Sequence, residues 1–550
     1  MSRFWYKNAV VYSLDVESFM DADGDGVGDF QGLVQRLDYL SGLGVTCLWL
    51  LPFYPTPNRD DGYDVADYYG IDPRLGSPGD FVEFMREARQ RGMHVLVDLV
   101  VNHTSIDHPW FQSARSDPKS RYRDYYVWVD RPPETERRGG PVFPGEQSSN
   151  WTYDEAAGAW YWHWFYAHQP DLNTGNPEVR AEIRRIMGYW LQLGVSGFRV
   201  DAAPFLFKRK GRTGAHPEDP QGFLVELRRF LSEERADAVL LAEADVATDE
   251  LSFFLGEGER MHLLFNFILN NYLFAALARE SASPLREALA LLPSCPPASQ
   301  WANFVRNHDE LNLDRLPEAY RQSAFDAFAP DPSTRIYGRG IRRRLPPMLE
   351  GDRRRLELVY SLLFSLPGTP VLRYGEEIGM GDDLALPGRM SVRTPMQWSA
   401  EANGGFSAAP PERLVRPVVR GGAYGYETVN VDAQRRDPGS LLNFMLRLIR
   451  TRKECPEFGE GEMQVVETGD PAVFAHRCER RGGMALAVHN LSREPRVATL
   501  EMDEGDVPHL VDLLGDRPYE RIDRGTVEVR LDGYGYRWLR VHALSRGAHP

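Results

Sequence analysis

The chain has 550 residues, of which 26% are charged and 42% apolar, and it carries a formal net charge of −15 at pH 7. That length exceeds one simple core and implies two or three domains, while the acidic balance argues against nucleic acid or an anionic membrane surface as a partner. No run of about 18 apolar residues offers a membrane span, and Cys47, Cys295, Cys455 and Cys478 show no CxxC spacing and no dense disulfide framework.

The opening stretch "MSRFWYKNAVVY" lacks the apolar core of a secretory signal, so the expected compartment is the cytoplasm. Residues 9–14 form the first of eight apolar strand candidates. The others are 45–51, 94–100, 195–200, 238–243, 262–267, 301–307 and 369–375. Their hydrophobicity is continuous rather than alternating, the mark of parallel strands buried on both faces; Cys47 lies inside the second run and reads as a core thiol. Helical patterns lie between them, as in 77–92 and 176–194. In the latter Asn176 can cap, Pro177 suits the first turn, Val179, Ile183, Ile186, Met187 and Trp190 form one stripe, and Gly194 ends it.

Eight strands with intervening helices predict an α/β fold, a (β/α)₈ TIM barrel with its site at the C-terminal strand ends. An open doubly wound sheet is the alternative, but no glycine-rich phosphate loop follows the first strand. Residues 104–170, rich in Trp, Tyr, Pro and charge, delay the fourth strand and read as a small inserted domain. The barrel then comprises 1–103 and 171–456, with the loop-rich stretch 376–440 overhanging its mouth. Short alternating strands from 457 to 550 predict a C-terminal antiparallel β-sandwich. Aromatic residues make up 11% of the chain, enough to line a sugar cleft, although a mixed α/β core absorbs them equally well.

Within "GFRVDAAPF" (197–205), Arg199 and Asp201 share one face of an extended segment, and buried charges must be paired or used. Asp201, Glu243 and Asp309 follow the fourth, fifth and seventh strand candidates, which directs all three into one pocket. Two carboxylates in apolar settings are the equipment of glycoside hydrolysis, held about 5–5.5 Å apart where configuration is retained. Each acid alone reads equally well as a helix cap or an ion-pair partner; three at strand ends favour a working site.

The motifs "VDLVVNH" (97–103), "GFRVDAA" (197–203), "LLAEA" (240–244) and "FVRNHD" (304–309) resemble, in order, the four short regions of glycoside hydrolase family thirteen, the α-amylase superfamily. "QPDLN" (169–173) is similar to a fifth region found in its oligo-1,6-glucosidase and trehalose synthase branches, and "RTPMQW" (393–398) extends the likeness. The resemblance implies a retaining α-glucosyl enzyme working by double displacement. Asp201 would be the nucleophile, Glu243 the acid/base, and Asp309 the group that holds sugar hydroxyls and favours the oxocarbenium-like transition state. Arg199 would orient Asp201 and keep it ionised. His103 and His308 would hydrogen-bond glucose hydroxyls, and Tyr63 would stack on the glucose face. Asp60 and Arg393 would bridge the end of the glucose site, limiting the enzyme to chain ends and disaccharides.

"DADGDGVGD" (21–29) gathers Asp21, Asp23, Asp25 and Asp29 among turn-forming glycines, an oxygen-rich set suited to calcium. It resembles the start of an EF-hand, but position twelve is Gly32 rather than Glu and a strand precedes it. The family likeness implies a structural calcium loop in which the Val27 carbonyl is a further ligand; a solvated acidic turn is the alternative. A second calcium is not expected at Asn102 and Asp171, because Lys208 stands near the position where an acid would be needed. No organic cofactor is implied.

The whole pattern is nearest the branch that interconverts maltose and trehalose (maltose α-D-glucosyltransferase), with a small α-glucoside as substrate and side hydrolysis to glucose. Ala202 also matches α-1,4-active members. Departures exist: Ser13 and Glu17 stand where the family usually has Gln and Arg, Arg373 replaces a Tyr, and Met390 an Asp. "ADVATDE" (244–250) also lacks an expected Asn-Gln-Trp run. Several of these flank the acceptor side, so an exo-acting α-glucosidase or a transglucosidase with another acceptor stays open. A non-catalytic relative is disfavoured, since all three acids are present and no span exists. Monomer and homo-oligomer are both compatible with the sequence.

Overall fold

A computed structural model describes residues 4–132, 142–144, 146–211, 218–480, 483–501, 509–515, 520–521 and 526–542. Eight apolar runs become eight short strands: β1 (Val11–Leu14), β2 (Cys47–Leu50), β3 (His94–Leu99), β4 (Gly197–Val200), β5 (Val239–Ala242), β6 (Leu263–Phe265), β7 (Gln300–Phe304) and β8 (Thr369–Arg373). They pair in parallel around a closed barrel in chain order, with β8 returning to β1. Both faces are buried. Trp49, Leu96, Leu241, Phe265, Phe304 and Val371 fill the interior, whereas Tyr12, Leu48, Val97, Phe198, Leu240 and Leu264 meet the surrounding helices. This double burial is why the strands read as unbroken apolar runs.

The helices carry the ends their sequences specify. Asp29 caps α1 (Phe30–Leu43), and Ser77 and Asp80 form a capping box on α2 (Pro78–Gln90). The side chain of Asn176 accepts from the Glu178 N–H at the start of α3 (Pro177–Gln192), whose stripe from Val179 to Trp190 is buried. Between β3 and β4 lie a helix (Pro109–Ser116) and a three-stranded antiparallel sheet with Ala159–Trp162 at its centre, packed through Phe111, Tyr126, Trp128 and Tyr161. A second small sheet, not expected from the sequence, follows β7 and joins Leu311–Asn312, Arg335–Ile336 and Gly340–Ile341.

At the C-terminal end a six-stranded antiparallel sheet faces a two-stranded one across Val473, Leu486, Val488, Leu500, Val527 and Val529. It is anchored to the barrel helix α4 (Arg353–Ser365) by buried polar contacts. Trp538 Nε1 donates to Ser361 Oγ (2.9 Å), His489 Nε2 meets the same oxygen (2.9 Å), and His476 Nε2 donates to the Ser365 carbonyl (3.0 Å). All four cysteines are free thiols, and Cys47 faces the barrel interior as a core residue. Among the described residues no helix is long and apolar enough to cross a membrane.

Candidate active site

Alternation along β4 sends Phe198 and Val200 outward and Arg199 into the barrel mouth, directly opposite Asp98 of β3. Gly197 allows this close approach: it has φ +144°, and a Cβ there would stand 2.0 Å from the Val239 carbonyl of β5. Arg199 lies over the Trp49 ring at 5.2 Å and holds three carboxylates at once. Its Nη1 donates to Asp98 (2.8 Å) and Asp201 (2.6 Å), and its Nη2 to Glu243 (2.7 Å). The chain then turns at Ala202, a non-glycine residue with φ +45°, which aims its N–H at Glu243 Oε2 (3.0 Å). That left-handed conformation costs of order 1–3 kcal/mol and is held where it points a donor at the acid.

The acids at this floor are not equivalent. Burial, with Asp98 and Asp309 close by, pushes Asp201 up to about 7 even though Arg199 opposes the shift. Burial raises Glu243 to about 7 and Asp98 to about 6 in the same way. Arg199 acts on Asp201 in the expected direction, lowering it, but this one guanidinium is shared among three carboxylates and desolvation outweighs it. Asp309 differs. Burial opposes its ionisation too, but Arg389 (2.5 Å) and Arg393 (3.0 Å) hold it well below the usual carboxylate range. The site thus combines one firmly ionised acid with an acid pair poised near neutrality, an arrangement that separates catalytic roles.

Above this floor lies a cavity of about 590 Å³, within the range of small-molecule sites. Asp201, Glu243, Asp309, Asp60, Tyr63, His103 and His308 all line it, and Phe143, Trp164, Phe165 and Phe205 form an aromatic mouth. Tyr63 stacks on His308 (5.5 Å, 7° between planes), while its hydroxyl lies 2.8 Å from His308 Nε2 and donates to Asp98 (3.1 Å). His103 Nε2 donates to the Tyr63 carbonyl (3.1 Å). Burial holds both histidines below the usual range, His308 far below and His103 to about 3, so they serve as neutral hydrogen-bonding groups.

The expected Asp60–Arg393 bridge is not formed. Arg393, 2% exposed, bonds Asp61 (2.8 Å) and Asp309 and does not line the cavity. Arg389 lines it instead, reaching Asp60 (3.3 Å) and Asp309, and Gln169 Nε2 also donates to Asp60 (2.8 Å). The adjacent acids Asp60 and Asp61 take different arginines: Arg389 lies inside the short turn Gly388–Val392 and meets Asp60, whereas Arg393 directly follows that turn and meets Asp61. Behind Asp61, Arg416 bonds Asp15, Glu17 and Asp61, supplying from the overhanging loop the positive charge that position 17 lacks.

Three participants escaped the sequence reading: Asp98, Arg389 and Lys210. Asp98 had a visible signal, an acid inside an unbroken apolar strand. The ammonium of Lys210, fully buried, touches the Asn102 carbonyl (3.2 Å), Asn102 Oδ1 (2.8 Å), the Leu172 carbonyl (2.9 Å) and Asp171 (3.2 Å). It occupies the oxygen cage discussed for a second cation, so the lysine that matters there is Lys210. Lys208 instead lines the substrate cavity, 4.4 Å from the Phe205 ring centre.

In the acidic loop, carboxylate oxygens of Asp21, Asp23 and Asp29 lie within 4.8 Å of one another, a donor set that fits a hard divalent cation. Asp25 is outside this group and accepts from the Val27 N–H (2.8 Å).

Comparison with known proteins follows the same outline. The alpha amylase catalytic domain profile matches residues 14–321 and 342–461, and a sucrose hydrolase-like C-terminal domain matches 482–540. A trehalose synthase of Thermus thermophilus is 45% identical over 100% of this chain, which spans only 57% of that protein's length. A trehalose synthase of Pimelobacter sp. is 42% identical, covering 98% of this chain and 96% of its own. Among solved structures, the trehalulose synthase MutB of Pseudomonas mesoacidophila superposes with a TM-score of 0.77 at 26% identity, covering 98% of this chain and 99% of that one.

Proposed function

The chain belongs to the alpha-amylase catalytic-domain family, and from that membership we propose that it interconverts maltose and trehalose by intramolecular glucosyl transfer. The reading rests above all on Arg199, which holds Asp201 and Glu243 together at the floor of a cavity whose far end is closed by Asp60, Arg389 and Asp309. Such a cavity accepts one terminal glucose and a single sugar beyond it.

Asp201 attacks C1 of the bound α-glucoside while Glu243 gives its proton to the glycosidic oxygen, forming a β-glucosyl-enzyme and free glucose. Asp309 stays ionised and stabilises the oxocarbenium-like charge. The released glucose turns within the cavity. Glu243 takes the proton from its anomeric hydroxyl, and that oxygen attacks C1 from the face opposite Asp201, giving trehalose with all atoms conserved. The aromatic mouth of Phe143, Trp164, Phe165 and Phe205 limits escape to water, which would give hydrolysis. On the acceptor side, Asp245 is clamped by Arg315 (2.7 Å) and Asn312 (2.8 Å) beside Lys208. These residues supply the contacts that choose the acceptor.

Calcium held by Asp21, Asp23 and Asp29 would brace the loop before α1 and take no part in the chemistry; chelation lowers thermal stability while leaving turnover at low temperature unchanged. Free thiols at all four cysteines suit a reducing compartment, the cytoplasm. The deciding assay incubates the protein separately with maltose, trehalose and sucrose and resolves products by anion-exchange chromatography. Trehalose from maltose, and maltose from trehalose, with minor glucose, is expected. Glucose alone makes the enzyme a hydrolase, a product with a foreign acceptor makes it a transglucosidase, and Asp201→Asn must abolish every product.

A further inference from the structure

Three buried acids meet outside the substrate cavity: Asp15 and Glu17, just past β1, and Asp61, next to Asp60. Their carboxylate oxygens lie within 4.8 Å of one another. Like charges this close and this dry repel strongly, and one guanidinium bonds all three. Arg416 donates through Nη2 to Glu17 and Asp61, and through Nη1 to Asp15 (3.4 Å) and to the Arg393 carbonyl (3.0 Å). Arg74 reaches the other Glu17 oxygen (3.1 Å) but is already bound to Asp72 (2.8 Å). Arg416 belongs to the overhanging loop rather than to the barrel, and its neighbour Val415 fixes the backbone there by donating to the Gly26 carbonyl (2.9 Å).

The line of charge continues to the site. Asp61 gives one oxygen to Arg416 and the other to Arg393 Nη1 (2.8 Å). Arg393 in turn donates through Nη2 to Asp309 Oδ1 (3.0 Å) and through Nε to the His308 carbonyl (2.8 Å). Signs therefore alternate from Asp309 through Arg393 and Asp61 to Arg416. We infer that Arg416 is a positioning residue for Asp309, acting through Asp61 and Arg393.

Arg389 and Arg393 both bond Oδ1 of Asp309, which leaves Oδ2 as the oxygen free of cations and fixes how the carboxylate faces the cavity. Burial alone would raise Asp61, yet Arg416 and then Arg393 bring it to about 2; burial lifts Glu17 to about 7 against the same Arg416. Asp61 is thus the firmly ionised member of the cluster, held between two arginines. Without Arg416, Arg393 is the one cation bonded to Asp61 among the described residues, and the uncompensated acids draw it back from Asp309. The carboxylate that must meet the oxocarbenium-like centre then loses one of its two anchors, and catalysis falls steeply with such misplacement. The inference rests on the role given to Asp309 under the proposed function.

The test measures kcat, KM and Tm with an aryl α-glucoside, which reports formation of the glucosyl-enzyme whichever acceptor follows. Arg416→Leu should lower kcat about 10–100-fold while KM changes less than about threefold. Asp61→Asn should lose a similar amount, and the double variant should be no worse than the poorer single within about threefold, because both act along one path. Two further pairs separate positioning from mere support. Glu17→Gln with Arg416→Leu removes an acid together with its cation, so it should recover Tm but not kcat. Glu17→Arg with Arg416→Leu returns a guanidinium to Asp61 from the barrel side and should recover both. Losses that multiply in the Arg416 and Asp61 double variant overturn the inference. So does a kcat within twofold of wild type in Arg416→Leu, or equal recovery of kcat by the two Glu17 pairs. Asp201→Asn, assayed alongside, distinguishes failure of the site assignment from failure of this inference: aryl glucoside cleavage that survives it refutes the assignment itself.

Discussion

Replacing Lys210 by Met isolates the buried ammonium that ties together the two barrel segments flanking the insertion, at Asn102 and at Asp171 and Leu172. The methionine fills most of the volume but withdraws a charge from four oxygens, among them the fully buried Asp171 carboxylate. Breaking a buried pair by removing one partner costs about 3–5 kcal/mol. Unfolding entropy of about 2.1 cal/mol/K per residue over 550 residues gives about 1.2 kcal/mol/K, so Tm should fall by roughly 3–4 °C if the chain melts as one unit. The deficit should also depend on pH. Burial already raises Asp171 above its ordinary range, and loss of the lysine raises it further. A carboxylate raised in the folded state penalises folding above its folded pKa and not below its unfolded value near 3.9, so the gap from wild type narrows as pH falls toward 4. Differential scanning calorimetry at pH 7 and pH 4.5 measures both effects. Lys210→Ala adds a second arm, since the emptied cage of hard oxygens should let millimolar calcium recover part of the loss. A Tm within 1 °C of wild type at pH 7, or an equal deficit at both pH values, would refute the reasoning.

Four other outcomes follow from the site and the domain contact. Asp98→Asn leaves Arg199 and Tyr63 with a weaker partner and should lower kcat/KM for an aryl α-glucoside about 10–100-fold with an unchanged circular dichroism spectrum; a change under twofold contradicts its positioning role. Arg389→Ala opens the far end of the cavity and should raise KM for maltose about tenfold and the hydrolysed fraction with it, as measured by initial rates and glucose release. Asp201 must be ionised and Glu243 protonated, and both lie near 7, so acid protonates the nucleophile and alkali strips the acid. The kcat/KM profile should therefore be a narrow bell centred near pH 7, and a flat response to pH 9 would speak against the assignment. His476, held by burial at about 4, is neutral when folded and charges on unfolding below about pH 6.5, so Tm should fall as pH drops from 6.5 toward 4, and less steeply in His476→Gln.

The barrel was legible because its signal is redundant: each of eight strands is apolar on both faces, and caps such as Asn176 and Ser77 mark the helices between. The small sheet at 311–341 has strands of two residues, too short for any alternation to appear. The acids Asp201, Glu243 and Asp309 were legible from their place after strands. Their ionisation was not, since it depends on how many carboxylates share Arg199, and Asp98 was counted as strand rather than as charge. The differences at Arg389/Arg393 and Lys208/Lys210 are alike. In each pair two identical residues sit within four positions on a loop, and only the path of that loop decides which one faces the site.

The guanidinium of Arg199 also constrains how this site can change over evolutionary time. Because Asp98, Asp201 and Glu243 answer to one cation, no single replacement among them is independent: neutralising one redistributes charge over the other two. A lineage drifting toward a sugar-binding scaffold cannot discard its nucleophile in one quiet step. It must lose the arginine and its acids in a correlated order, or pass through an intermediate that carries an unbalanced charge in the barrel mouth. Descendants that have abandoned catalysis should therefore lack these positions as a group, while those that keep Arg199 should keep all three acids.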